Sequence, residues 1–241
     1  MDGRWVDIGD GILARRYGEL DLTVGLVLGG ERALVVDTRG DATQGAELAA
    51  AVREVTALPL VVAITHAHFD HCFGTAALAP VAVYAHPRCT AAIRSTAAAQ
   101  RERWSAWYRA RGGPGDEAVA AALAATDPPL PDREAPAEVD LGGRSAALCH
   151  LGAGHTDHDL VVHADGVVFA GDLVEQGAPP DLEDAVLGAT LGAWPATLDR
   201  LLALGPRTVV PGHGDPVDAT FVAAQRAELA ELAALWANRH P

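Results

Sequence analysis

The chain of 241 residues contains no lysine. All 18 basic residues are arginine, set against 32 acidic ones, and the formal net charge is −14. So acidic a surface repels phosphate backbones and excludes general nucleic-acid binding. Cysteine is scarce too: three residues, an odd number and without a CxxC pair, cannot build a disulfide scaffold. No apolar stretch runs for about 18 residues without polar breaks, so no transmembrane helix and no membrane partner are expected. The opening MDGRWVDIGDGILARRYGEL lacks a basic region followed by a long apolar one. A secretory signal is therefore not expected, and a cytoplasmic location is the default expectation. What the chain does have is 49% apolar residues, enough for a sizeable core, and only 21% charged residues, which excludes wholesale disorder. Its length suits one large domain, or one domain with an insertion.

Strand and helix signals alternate. Leu22 to Leu28 and Arg32 to Asp37 are apolar, β-branched runs joined by Gly29-Gly30, which suits a hairpin. Asp41 to Leu58 carries Leu48, Val52 and Val55 at helical spacing before Pro59. Leu60 to Thr65 reads as a buried strand and Val81 to Ala85 as a short one. Residues 87–126 are Ala-rich and helical, with a break at Gly112-Gly113-Pro114. Strands follow at Ser145 to Leu151, Leu160 to His163, Val167 to Ala170 and Thr208 to Val210. Helices are expected over Gly192 to Leu204 and Asp215 to Asn238. A hairpin-rich first half followed by alternating elements implies a mixed α/β layered structure rather than a purely parallel doubly wound sheet. The segment at about 87–138 reads as a helical insertion in a single domain spanning residues 1–241.

Four ligand-type residues follow the strand at 60–65 in the run His66-Ala-His68-Phe-Asp70-His71. On an extended segment, side chains two apart point the same way, so His66 and His68 can converge on one ion. Asp70 and His71 lie where the chain must turn and can face a neighbouring position. Imidazole and carboxylate together suit zinc, iron or manganese. Three further islands have the same grammar: His155 after Gly152-Ala-Gly, Asp172 after Gly171, and His213 between Gly212 and Gly214. Each places a His or Asp beside glycines at a strand's C-terminal end, where rigid scaffolds hold chemistry. His86, His150, His163 and His240 match no such pattern.

The order Asp37, His66-x-His68-x-Asp70-His71, His155, Asp172, His213 resembles the five-motif signature of the metallo-β-lactamase superfamily, over roughly residues 20–215. The resemblance implies an αββα sandwich of two mixed β-sheets flanked by helices, with the metal site at one edge. It implies two divalent metal ions, zinc first, with iron or manganese as alternatives. His66, His68 and His155 would bind the first ion and Asp70, His71 and His213 the second, with Asp172 bridging. Asp37 would orient the ligand loop, and His158 or Asp159 could buttress His155. The implied reaction is hydrolysis, with a hydroxide activated by the two metals attacking a small ester, lactone, thioester or phosphoester, and Asp70 orienting the nucleophile or shuttling a proton. Cys72 adjoins His71 and reads as a small buried residue.

Departures narrow the substrate. β-Lactamases with a Cys ligand carry it where this chain has Asp172, and use a Lys that this chain lacks. Only 28 residues follow His213, too few for the glutathione-binding domain of glyoxalase II proteins. A β-lactamase is one alternative. The other alternative is a mononuclear iron dioxygenase of the persulfide dioxygenase type. The insertion adds a clue, since Arg88 to Arg111 holds six arginines and one acid, Glu102. Arg101, Trp104, Tyr108 and Arg111 recur at helical spacing, which predicts a lid face whose Arg101, Trp104 and Tyr108 bind a small, anionic or aromatic substrate. Glu175 to Leu191 is a second candidate lid piece.

Overall fold

The computed structural model describes residues 3–187 and 190–239. Two mixed sheets lie between helices. The first sheet has seven strands in sequential order: β1 (Arg4–Gly9), β2 (Ile12–Arg16), β3 (Thr23–Leu28), β4 (Ala33–Val36), β5 (Leu60–Ala63), β6 (Ala82–Ala85) and β7 (Arg133–Glu134). Its first four strands are antiparallel, and β4 to β7 run parallel. The second sheet has the order β12-β11-β10-β9-β8, built from β8 (Glu138–Asp140), β9 (Ser145–Cys149), β10 (Val161–Ala164), β11 (Val167–Glu175) and β12 (Thr208–His213). Only β11 and β12 pair in parallel there.

The period of two along each strand sorts side chains between layers. In β4, Leu34 and Val36 face the second sheet while Ala33 and Val35 face the helices. In β11, Val167 and Phe169 face inward and Val168 and Ala170 outward. The sheets meet closely at Gly25, where a Cβ would lie 2.4 Å from the Phe169 ring. That contact requires glycine.

Outside the first sheet pack α1 (Ala42–Val55), α3 (Pro87–Arg111) and α4 (Asp116–Ala125). Asp41 caps α1 by accepting from the Thr43 and Gln44 amides at 2.8 Å. The helix ends at Val55, three residues short of the expected end, because Thr56 is already extended. Pro87 starts α3, and Gly112, at φ +66°, ends it. Along α3, Cys89, Ile93 and Tyr108 are buried in the layer between helices and sheet. One face of the segment read as an insertion is thus core. Outside the second sheet lie α5 (Glu183–Leu187), α6 (Trp194–Leu202) and α7 (Ala219–Arg239), with the Trp194 side chain fully buried under α6. The short helix α2 (Phe69–Cys72) follows β5 at the sandwich edge. No helix among the described residues is long and apolar enough to cross a membrane.

The strands absent from the sequence reading are β1, β2, β7 and β8. β1, β7 and β8 lie at sheet edges and are largely exposed, and β2 ends in Arg15-Arg16, so none carries the apolar run that marks a buried strand. Conversely, β11 continues five residues beyond Ala170 and carries Asp172 within the strand, past a register shift between Phe169 and Gly171.

Candidate metal centre

Strand ends of both sheets deliver the motif residues to one edge. His66 and His68 leave β5 on an extended segment, with ring centroids 4.5 Å apart. The turn into α2 then brings in Asp70 and His71. His155 comes from the loop after β9, Asp172 from β11 and His213 from the end of β12. Gly212 leaves room for the Asp172 carboxylate: a Cβ there would lie 1.9 Å from Asp172 Oδ1. The donors fall into two groups, His66, His68, His155 and Asp172, and Asp70, His71 and His213. Within each group the ligand atoms all lie within 4.8 Å of one another.

Each imidazole is held by its outer nitrogen and leaves the inner one facing the cluster. His213 Nδ1–H donates to the Leu20 carbonyl at 2.8 Å, and His155 Nδ1–H to that of Asp181 at 3.3 Å. His71 Nδ1–H donates to Asp37 Oδ2 at 2.8 Å. His66 Nδ1–H meets Thr65 Oγ1 at 3.0 Å, and that hydroxyl donates in turn to Asp37 Oδ2 at 2.8 Å. His68 is reversed: its Nε2–H meets Asp184 Oδ2 at 2.5 Å, and its Nδ1 lies 3.1 Å from His155 Nε2. These outer partners dictate the tautomers and leave inner lone pairs free for a cation. Asp37 also accepts from the Thr65 amide at 2.8 Å and sits at φ +65°, an uncommon backbone state that aims its carboxylate at both loops.

Asp172 lies at the centre. Its carboxylate oxygens are 3.2 to 3.7 Å from Nε2 of His71, His213, His66 and His155. Burial opposes its charge, yet His71, His213 and His66 hold it well below the usual carboxylate range. Burial pushes His66 well down and His155 down to about 4. His213 is raised against its burial to about 9 by Asp172 and Asp70. Two buried atoms here, His66 Nε2 and Asp172 Oδ1, have no hydrogen-bond partner. Buried polar atoms are almost always satisfied, and a bare imidazole nitrogen opposite a bare carboxylate oxygen is the donor set of a divalent cation. The residues therefore fit a bound metal.

A cavity of about 530 Å³ opens beside the cluster. Trp104 lines it, stacked on Phe69 with centroids 4.8 Å apart. Arg101 and Tyr108, expected on the same wall, point elsewhere. Arg101 reaches the Thr126 carbonyl at 2.9 Å and Asp127 at 3.2 Å. Tyr108 is fully buried, its hydroxyl donating to Glu19 at 2.7 Å. The helical phase explains this: the apolar Tyr108 draws its face into the core, and the cavity receives Thr96, Gln100 and Arg103 instead. The sequence reading also missed Asp184 and Glu175. Glu175 is buried on the cavity wall, and burial together with nearby Asp172 pushes its carboxyl up to about 8. His158, its Nδ1 on Asp157 at 2.7 Å, lines the cavity with Nε2 unpartnered. Asp159 accepts from the Thr156 amide and hydroxyl, bracing the loop of His155. Cys72 is buried, its thiol donating to the His68 carbonyl.

The fold has solved counterparts. A metallo-β-lactamase from Pontibacter korlensis aligns with a TM-score of 0.69 and 19% identity, over 95% of this chain and 99% of that one. A metallo-β-lactamase from Hirschia baltica aligns with a TM-score of 0.69 and 18% identity, over 95% and 98%. At such identities the likeness is one of fold. No curated protein matches the sequence. The family model of the metallo-β-lactamase superfamily, however, matches residues 17–213, from before Asp37 through the last ligand. With that span covered and the five motifs gathered at one sandwich edge, the chain belongs to the metallo-β-lactamase superfamily.

Proposed function

We propose that the protein is a metal-dependent hydrolase acting on a small ester, lactone, thioester or phosphoester through a dinuclear, zinc-type centre. The observation that carries the reading is the paired donor set: two adjacent groups whose inner nitrogens are bared by their outer hydrogen bonds. When bound, two divalent ions supply a nucleophile at neutral pH and positive charge for the developing oxyanion. The chain's own residues do the rest. Asp70, on the cavity wall, would orient the attacking water or take its proton. The Phe69 and Trp104 rings and the Leu20 side chain narrow the approach and exclude bulk water from the reacting bond.

The second donor group supports two ions over the mononuclear iron dioxygenase reading. His71 and His213 are oriented as firmly as the first group, by Asp37 and the Leu20 carbonyl. The test is turnover of a panel of aryl esters, lactones and phosphodiesters before and after chelation. Activity is expected to fall at least about a hundredfold on chelation and to return with a break at two equivalents of zinc or manganese. Undiminished hydrolysis by the chelated protein contradicts the proposal.

A further inference from the structure

The cavity wall beyond the metal ligands has a marked charge balance. Its other acidic residues are Asp21, Asp181, Glu183 and Asp184, with Glu175 largely protonated at neutral pH, against Arg103 alone. Glu183 grips the Arg103 guanidinium through both oxygens, at 2.9 and 2.7 Å, and Arg16 pairs with Asp21, so the excess negative charge of the wall rests on Asp181 and Asp184. A guanidinium already forked onto a carboxylate has little left for a second one. His158 adds a polar but uncharged edge, since burial lowers its pKa. The α3 and α2 side adds an aromatic surface, where Trp104 lies on Phe69 at 4.8 Å, with the uncharged Thr96 and Gln100 beside it. The volume of about 530 Å³ falls in the range of small-molecule sites.

We infer that the cavity selects substrates whose group remote from the scissile bond is uncharged, with the adjoining ring or chain seated on Trp104 and Phe69, and rejects those bearing a carboxylate there. The selection rests on the hydrolase reading and specifies the substrate of that same site. Metal charge acts at the reacting bond. The acidic rim acts on what the substrate carries away from it, where a second anion would be desolvated among carboxylates. The Arg103–Glu183 pair is the specificity switch, because breaking it returns the one cation of the wall to the cavity.

Two non-hydrolysable ketones test this without relying on turnover: 4-butyrylbenzamide and its isosteric carboxylate, 4-butyrylbenzoate, titrated calorimetrically into the zinc-loaded protein. The carboxamide is expected to bind at least about tenfold tighter at low salt, with the preference shrinking as ionic strength rises. Glu183→Gln, at a half-exposed position, is expected to bring the two ligands to within about twofold of each other by freeing Arg103. Trp104→Ala is expected to weaken both ketones alike, by about tenfold. Equal or tighter binding of the carboxylate at low salt overturns the inference, as does a ratio unmoved by Glu183→Gln. The matching butyrate esters separate the two claims. Ketone discrimination without hydrolysis of these esters or of any lactone, thioester or phosphodiester of the panel refutes the hydrolase and leaves the cavity's selectivity standing. Hydrolysis without discrimination does the reverse.

Discussion

Replacing Asp172 with alanine is expected to reduce the metal content from two ions to at most one, and kcat/KM by at least about a thousandfold, or about 4 kcal/mol of barrier. The carboxylate lies within 3.7 Å of the inner nitrogens of His66, His71, His155 and His213, so it contacts both donor groups. It is also the buried anion that balances the raised His213 and His71. Its loss removes a ligand and the anion that the raised His71 and His213 share. Asp172→Asn serves as the isosteric companion. It keeps the packing against Gly212 and loses only the charge. Metal analysis and circular dichroism on both variants separate lost coordination from lost fold. Two ions retained by the alanine variant would show that Asp172 is no bridge.

The second large effect comes from a residue that is not itself a ligand. Asp37→Asn is expected to weaken the second ion by about 10- to 100-fold and to lower turnover by at least as much. Asp37 Oδ2 accepts from both His71 Nδ1–H and the Thr65 hydroxyl, and Oδ1 accepts from the Thr65 amide. Because the Thr65 amide claims the asparagine's remaining oxygen, its NH₂ group must face His71. The imidazole then has to accept at Nδ1 and carry its proton on Nε2, the atom that faces Asp172 at 3.2 Å. A protonated Nε2 is no ligand. The change is one of tautomer and not of shape, so the fold should persist: asparagine tolerates φ near +65°. The readout is the affinity of the second equivalent in a zinc titration, with the first equivalent unchanged as internal control. Loss of both equivalents together would point to a general collapse of the loop instead.

The site's ligands were legible in the sequence because each follows an apolar strand and stands beside glycine or another ligand. His66 to His71 follow β5, His155 follows β9 and His213 ends β12, so local grammar and three-dimensional position coincide. The layered fold was legible for the same reason, in the alternation of buried strands with helices. What escaped depends on contacts remote in sequence. Asp184 reaches His68 across 116 residues, and the single short turn of α5 is too brief for any periodicity to announce it. Arg101 and Tyr108 share a helical face, as their spacing requires, but only packing decides which way that face turns. Tyr108 on Glu19 turned it inward. Arg103, two residues from Arg101 and so on the opposite side of α3, reached the cavity instead. The anionic substrate expected from the arginine-rich segment loses its footing there, since the one arginine on the wall is already paired with Glu183. The edge strands β7 and β8 escaped because three residues or fewer of polar chain carry no alternation to read.

The most direct test of the account is elemental analysis of the purified protein by plasma mass spectrometry, expressed as ions per chain. Two zinc or manganese ions per chain, with Asp172→Ala reduced to one or none, is the result the paired donor groups predict. One iron per chain, with the Asp70, His71 and His213 group contributing nothing to its retention, would contradict the dinuclear hydrolytic centre and move the protein to oxygen chemistry.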